Sequence, residues 1–114
     1  MIKAATRDPD RTRQRILDAA FSKFVAKGFA EVSMREIAER SGVTKSLIHH
    51  HFGSKESLWD AVKDRAFGRY ADQQMAELEK AENPDAALLE RSVINYFQFL
   101  KDNPQVVRLL AWTH

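Results

Sequence analysis

Four donor-bearing side chains crowd into positions 45–50, and these residues are the best placed to do chemistry. They are Lys45, Ser46, His49 and His50. On a helix they would lie away from Ile48 and Phe52, whose spacing of four residues puts both on one buried face. None of the four has an obvious partner nearby in the sequence. Such a surface can donate hydrogen bonds to base edges and to phosphate oxygens.

The three consecutive histidines, residues 49–51, also invite a metal-binding hypothesis. Successive helical side chains point about 100° apart, whereas a helix chelates a metal ion with residues four apart. The imidazoles therefore do not converge on one ion, and the sequence has no cysteine to complete a site. It also lacks a glycine-rich phosphate loop, a nucleophile elbow and a carboxylate pair near a histidine. We expect no metal, no cofactor and no catalytic residues.

Residues 33–55 carry the signals that would position these side chains. Ser33 and Glu36 have the spacing of a capping box, which begins a short helix. Gly42 is suited to end that helix, because glycine adopts a positive φ at little cost. Thr44 is a suitable N-cap for a second short helix. Two short helices joined by a glycine turn, with an unpaired basic outer face, are what a helix-turn-helix DNA-binding unit requires.

An earlier helix is predicted to begin at Pro9 and to end at Gly28, with Asp8 as its N-cap. Apolar residues at helical spacing give it one buried face. Basic side chains are expected to point outward from it, with Lys23 in solvent. These outward side chains are Arg11, Arg13 and Lys23. The arm before this helix carries Lys3 and Arg7, which suit either solvent or contact with phosphate and the minor groove.

Three further helices are predicted after this unit. Ser54 is suited to cap a fourth helix that runs to about residue 81, a length of roughly 40 Å. The pairs Asn83–Pro84 and Asn103–Pro104 predict the starts of a fifth and a sixth helix. The sixth is apolar nearly all round, which indicates burial on several sides. Because no two-residue alternation persists, we expect an all-α protein.

Charge is distributed unevenly along the 114 residues. The net charge is +2, but residues 1–55 carry +5 and residues 56–114 carry −3. A basic end favours a polyanionic partner, and an acidic remainder disfavours non-specific coating of DNA by the whole molecule. No run is long and apolar enough for a membrane span or a signal peptide. We therefore expect a soluble, cytoplasmic protein.

The sequence resembles the tetracycline-repressor (TetR) family from about Arg15 to Leu58. The family pattern I-A-x-x-x-G-V-[ST]-x-x-x-[LI]-[YH]-x-[HY]-F-x-x-K is matched by the residues Ile37, Ala38, Gly42, Val43, Thr44, Ile48, His49, His51, Phe52 and Lys55. The resemblance implies a three-helix helix-turn-helix DNA-binding unit, residues 1–54. A long fourth helix would join it to the start of a helical ligand-binding and dimerisation domain, residues 55–114, which would be incomplete.

The resemblance also implies roles for individual residues. Candidates for contact with base edges are Arg35, Lys45, Ser46, Leu47 and His50. Candidates for contact with phosphate are Ser33, Thr44, His49, His51 and Lys55. His49 departs from the family pattern, which usually has tyrosine at this position, and it makes a phosphate contact potentially sensitive to pH. Candidates for contact with an effector are Tyr70, Gln74 and Tyr96.

The function implied by the resemblance is that of a sequence-specific transcriptional regulator. Its partners would be a double-stranded, pseudo-palindromic DNA operator and an unidentified small-molecule effector. We expect a homodimer formed through helices beyond residue 114, and a repressor that the effector releases from DNA. Two alternatives stay open: a TetR-like activator, since the DNA-binding unit does not encode the sign of regulation, and a helical protein-interaction module.

Overall fold

The computed structural model describes residues 8–81 and 85–112, apart from the side chain of Arg69, and all regular structure in these ranges is helical. The expected all-α class is thereby confirmed. No helix within these ranges is both long and apolar enough to cross a bilayer. In chain order, the helices are α1 (Pro9–Lys27), α2 (Met34–Ser41), α3 (Lys45–Phe52), α4 (Lys55–Lys80), α5 (Ala86–Asp102) and α6 (Pro104–Ala111).

Helix α1 has the ends that its sequence predicts. The Asp8 side chain accepts the backbone N–H groups of Asp10 and Arg11, and Pro9 is the first helical residue. At the other end, Gly28 has φ = 85° and donates its N–H to the carbonyl of Phe24. The predictions for Lys3 and Arg7 fall outside the described residues.

The chain divides into two compact units, Met1–Lys63 and Asp64–His114, so the division falls within α4. The first two turns of α4 pack with the amino-terminal unit because Leu58 and Val62 are fully buried. The functional boundary expected at residues 54–55 stays a prediction.

The core of the amino-terminal unit is apolar and collects side chains from all four of its helices. Its fully buried large members are Ile16, Phe24, Val32, Ile37, Ile48, Leu58 and Val62. The Phe24 ring meets Trp59 edge-on at 4.9 Å and stacks on Phe29 at 6.0 Å. Because Ile48 belongs to α3 and Ile37 to α2, this core holds the helix-turn-helix pair against α1 and the start of α4.

In the second unit, α5 begins later than its sequence predicts. Asp85 is the N-cap, accepting the N–H of Leu88 at 2.9 Å, and the helix starts at Ala86. The predicted cap Asn83 and first residue Pro84 lie outside the described residues. Aspartate and asparagine are equally good N-caps, so local sequence did not discriminate between two positions this close together.

Apolar residues of α5 and α6 remain largely exposed. On α5 they are Leu89, Val93, Ile94, Tyr96 and Phe97. In α6, Val106 and Leu109 are buried, but Val107 is 43% exposed. The prediction that α6 is buried on several sides is therefore wrong for this unit by itself. The reason is physical: two short helices and part of α4 supply too little surface to cover every apolar side chain.

Candidate nucleic-acid interface

Helix α2 begins with the predicted capping box. Ser33 Oγ accepts the N–H of Glu36 at 3.1 Å, and Glu36 Oε1 accepts the N–H of Ser33 at 3.2 Å. The Ser33 hydroxyl also lies 3.4 Å from Glu36 Oε1, to which it can donate its proton. Ser33 would therefore have to give up this contact with a carboxylate in order to donate to phosphate.

Glu36 also ties α2 to the end of α1. Its Oε2 atom lies 2.8 Å from Lys27 Nζ and 3.8 Å from Lys23 Nζ. Lys23 thus lies at the edge of the ion-pair range from this carboxylate and is half-buried, so it is not simply solvated as predicted. The hydrogen bond from Lys27, together with the backbone donor of Ser33, lowers the pKa of Glu36 below its ordinary value of 4.5. The ionised carboxylate consequently favours the folded state.

Acidification is expected to lower the stability of the wild type more than that of Glu36→Gln. Because the folded-state pKa is depressed, the carboxylate stabilises the fold above its unfolded pKa near 4.5 and loses that effect as the pH falls through the folded value. Thermal unfolding followed by circular dichroism between about pH 6 and pH 3 measures the difference. Glu31→Gln, which changes an exposed carboxylate outside the box, is the matched control; equal pH slopes for Glu36→Gln and wild type would contradict the expectation.

The turn between α2 and α3 is built around Gly42. Gly42 has φ = 72° and ψ = 26°, the left-handed conformation that the sequence predicted, and it donates its N–H to the carbonyl of Ala38. The carbonyl of Ser41, left without a helical partner, accepts a hydrogen bond of 2.7 Å from Arg15 Nη2. Arg15 of α1 therefore holds the carboxyl end of α2 at the entrance to the turn, a role that its sequence position did not reveal.

Helix α3 presents the donor-rich face predicted from its sequence. Thr44 Oγ1 accepts the N–H of Leu47 at 3.1 Å, which confirms Thr44 as the N-cap. Ile48 and Phe52 are buried on the inner side. The exposed residues are Thr44, Lys45, Ser46, His49 and His50, whereas Leu47 and His51 are half-buried. Because Thr44 Oγ1 acts only as an acceptor in this cap, its hydroxyl proton stays available for a phosphate.

The three histidines have different surroundings. His49 Nδ1 lies 3.2 Å from the carbonyl oxygen of Gly53 at the carboxyl end of α3. His50 and His51 meet edge to face, with ring centroids 5.6 Å apart, and His51 also lies beside the Phe52 ring at 6.3 Å. His49 is therefore held by a hydrogen bond to the backbone, while the other two contact rings.

Two cations at the edge of this surface rest on aromatic rings. The Nζ atom of Lys55 lies 4.3 Å from the centroid of Phe29, and the Arg13 guanidinium carbon lies 4.5 Å from that of Phe52. Contact with the face of a ring fixes the position of the cation and leaves N–H groups that can donate to another acceptor. Arg13 thus joins the candidates for phosphate contact. The sequence alone identifies Arg13 only as a basic residue that points outward, because Phe52 is distant from it along the chain.

Arg35 is the base candidate that lies on α2. Its side chain is 84% exposed and its Nε atom lies 3.9 Å from Glu39 Oε1, a loose contact that does not restrain it. The ten DNA-contact candidates predicted from the sequence, and Arg13 with them, belong to the amino-terminal unit, and none of them is fully buried. The structure therefore brings these side chains together on one unit, and their individual roles in DNA binding stay predictions.

The effector candidates lie in the second unit, beside an open cleft of about 630 Å³ between α4 and α5. Tyr70 and Gln74 line this cleft, whereas Tyr96 does not line it but contacts the Tyr70 ring at 5.7 Å. Tyr70 also stacks on Phe99 at 4.8 Å, and burial raises the pKa of its hydroxyl. The cleft wall also includes the charged residues Glu77, Lys80 and Asp102 beside the apolar Ala76 and Phe99.

Comparison with known proteins gives a consistent result. Residues 16–62 match the family model for bacterial regulatory proteins of the tetR family. An uncharacterized HTH-type transcriptional regulator of Haemophilus influenzae is 30% identical over 102 residues, which cover 89% of this chain and 49% of that protein. The chain thus spans about half the length of this curated relative.

Solved structures show the same likeness. The TetR-like transcriptional regulator from Rhodococcus sp. RHA1 superimposes with a TM-score of 0.70 at 26% identity, over 87% of this chain and 54% of that one. A transcriptional regulator of the TerR/AcrR family from Aquifex aeolicus VF5 gives 0.68 at 26% identity, over 86% and 53%. Together with the capped helix-turn-helix described above, these matches identify residues 16–62 as a domain of the family described as bacterial regulatory proteins, tetR family.

Proposed function

We propose that this chain binds double-stranded DNA in a sequence-specific manner and regulates transcription. The exposed donor face of α3 is the observation that carries the proposal. Ile48 and Phe52 anchor the helix from behind, so Lys45, Ser46 and His50 are free to enter a major groove. Lysine and serine can read base edges there, and the half-buried Leu47 can meet a thymine methyl group.

Phosphate contacts would surround this helix and fix its register. Thr44 retains a free hydroxyl proton, Lys55 is seated on Phe29, and Arg13 is seated on Phe52. Such contacts supply affinity without reading sequence. The charge of +5 on residues 1–55 supports the same assignment, because a basic surface attracts the polyanion over a distance.

The finer proposal is a homodimeric repressor. Two copies related by a two-fold axis would place their α3 helices in successive major grooves, about 34 Å apart, on a pseudo-palindromic operator. A small molecule that binds beside Tyr70 and Gln74 would release the operator if it prefers the conformation that does not bind DNA. Support for these points comes from the family resemblance and from the cleft between α4 and α5.

Selection of duplexes from a random-sequence pool tests the proposal directly. The chain is expected to enrich one sequence, and a two-fold repeat in that sequence would support binding as a dimer. Enrichment of no sequence after several rounds, under conditions in which the protein remains folded, would rule out sequence-specific binding. A reporter gene controlled by the selected sequence then distinguishes a repressor from an activator.

Lys45→Ala and Lys55→Ala are expected to have different effects on DNA affinity. Lys45 is fully outward on the first turn of α3, so its loss should remove about 1–3 kcal/mol of discrimination between the selected duplex and a scrambled one. Lys55 is the proposed phosphate contact, so its loss should weaken both duplexes by a similar factor. Titrations of both variants against both duplexes measure this contrast. A uniform loss in both variants would show that Lys45 does not read bases.

A helical protein-interaction module is the second candidate function. It is favoured by the exposed apolar residues of α5, since Leu89 is 67% and Phe97 is 65% exposed. A gel shift with mixed duplexes separates the two candidates, because an interaction module would not retard DNA. The two functions also depend on different units of the chain.

A further inference from the structure

We propose that His49 donates to a DNA phosphate only when its imidazole carries both protons, so that DNA binding by this chain takes up a proton. The inference rests on the proposed function and specifies how the same surface is regulated. Its basis is the contact between His49 Nδ1 and the carbonyl oxygen of Gly53, 3.2 Å apart.

The chemistry of that contact selects the tautomer. A carbonyl oxygen can only accept a hydrogen bond, so Nδ1 must be the nitrogen that carries the proton. In a neutral imidazole the other nitrogen, Nε2, is then an acceptor with a bare lone pair. A phosphate oxygen is also an acceptor. Neutral His49 thus presents the wrong group to DNA unless it gives up its bond to Gly53.

The mismatch between the Nε2 lone pair and a phosphate oxygen affects DNA binding because of where the His49 ring lies. His49 is exposed on the same outer face of α3 as Lys45, and the two are one helical turn apart. The two ring nitrogens are separated by Cε1 and point in different directions, so Nε2 does not share the contact of Nδ1 with Gly53, and the ring belongs to an exposed residue. When this face meets DNA, Nε2 is the atom of His49 that is available to the backbone.

The backbone of Gly53 fixes the position of the carbonyl oxygen that the His49 ring contacts. It ends α3 with φ = 85° and donates its own N–H to the carbonyl of His49 at 2.8 Å. His49 and Gly53 are therefore joined by two hydrogen bonds, one from the backbone and one from the ring. The ring contact also gives a partner to one of the carbonyl groups left free at the end of the helix.

The charged groups around α3 bear on how the protonation of His49 is coupled to DNA binding. On α3 itself, the neighbouring titratable or charged residues are Lys45, His50 and His51. On the flanking elements, Arg13 of α1 lies over the Phe52 ring, Lys55 of α4 lies over the Phe29 ring, and Glu39 of α2 lies 3.9 Å from Arg35. A phosphate close to Nε2 favours the imidazolium over the neutral ring. The proton is consequently taken up on binding, which requires affinity to rise as the pH falls.

A mixed-sequence duplex at low, constant salt is the appropriate probe, because a phosphate contact is independent of sequence. Between about pH 8 and pH 5.5, where imidazole changes charge, the wild-type chain is expected to bind about ten-fold more tightly for each His49 engaged, the effect of one charge-assisted hydrogen bond. Titration calorimetry in buffers of different ionisation enthalpy should show net proton uptake near pH 7.

His49→Gln keeps a polar side chain but cannot titrate, so its affinity should lose this pH response and its proton uptake should fall. His50→Gln is the matched control: it removes a neighbouring histidine and should retain the His49 response, whatever its affinity. Equal pH responses in wild type and His49→Gln would overturn the inference while leaving DNA binding intact. Absence of duplex binding at every pH would instead overturn the proposed function, and this inference with it.

Discussion

Gly42→Ala is expected to destabilise the amino-terminal unit by about 2–3 kcal/mol and to weaken DNA binding. Gly42 has φ = 72°, where an L-residue with a Cβ atom costs roughly 1–2 kcal/mol. The new Cβ would also lie 2.9 Å from Arg15 Nη2. The guanidinium can move aside, but this weakens its hydrogen bond to the Ser41 carbonyl; because Arg15 is exposed and water replaces much of that bond, its loss adds about 1 kcal/mol. Urea unfolding and duplex titration measure the two effects.

Two other glycines provide controls for this variant. Gly53 also has a positive φ, of 85°, but a Cβ there would meet nothing within 4 Å. Gly53→Ala therefore reports backbone strain without a steric clash, although with ψ = −50° Gly53 lies outside the left-handed conformation that Gly42 adopts. Gly68 lies inside α4 with open space around it, so Gly68→Ala should stabilise the helix by about 0.5–1 kcal/mol. A double-mutant cycle of Gly42→Ala with Arg15→Ala isolates the part of the destabilisation that depends on contact with Arg15.

Salt is expected to weaken DNA binding by several hundred-fold on one half-site between about 50 and 200 mM. This value follows from about four or five phosphate contacts and a slope of about −0.9 for each phosphate neutralised. Two half-sites bound together would roughly double the slope. The measurement is a series of titrations with one duplex at constant pH, plotted as the logarithm of affinity against the logarithm of salt concentration.

Single variants assign the salt dependence to individual residues. Lys55→Ala and Arg13→Ala should each make the slope shallower by about one for each half-site, since each removes one proposed phosphate contact. Lys63→Ala is the matched control: Lys63 belongs to the same unit but lies near Asp60 and over the Trp59 ring. A flat salt response of the wild type would contradict DNA binding, and an unchanged slope in Arg13→Ala would remove Arg13 from the interface.

The helix-turn-helix was readable from the sequence because its signals are local. Ser33 bonds to a residue three positions away, Thr44 does the same, and Gly42 closes its turn on a residue four positions back. Each of these geometries depends on residue type and spacing alone. The polar outer face of α3 was predictable for the same reason, since helical periodicity determines which side chains share a side.

Contacts between distant residues were decided only by packing. Arg15 donates to the Ser41 carbonyl, which is 26 positions away in the chain. The contacts of Arg13 and Lys55 with aromatic rings likewise join residues that are far apart in the chain. Their existence depends on how α1 crosses the other helices, which no local pattern encodes. The proximity of Lys23 to Glu36 has the same origin.

His49 illustrates both contributions. The sequence alone showed an imidazole on the outer face of a helix, and with it a possible dependence on pH. Only the folded chain showed that Nδ1 lies within hydrogen-bonding distance of the Gly53 carbonyl. Residue type supplies a group that can hold one proton or two, whereas the position of a fixed acceptor decides which nitrogen is left to meet the DNA.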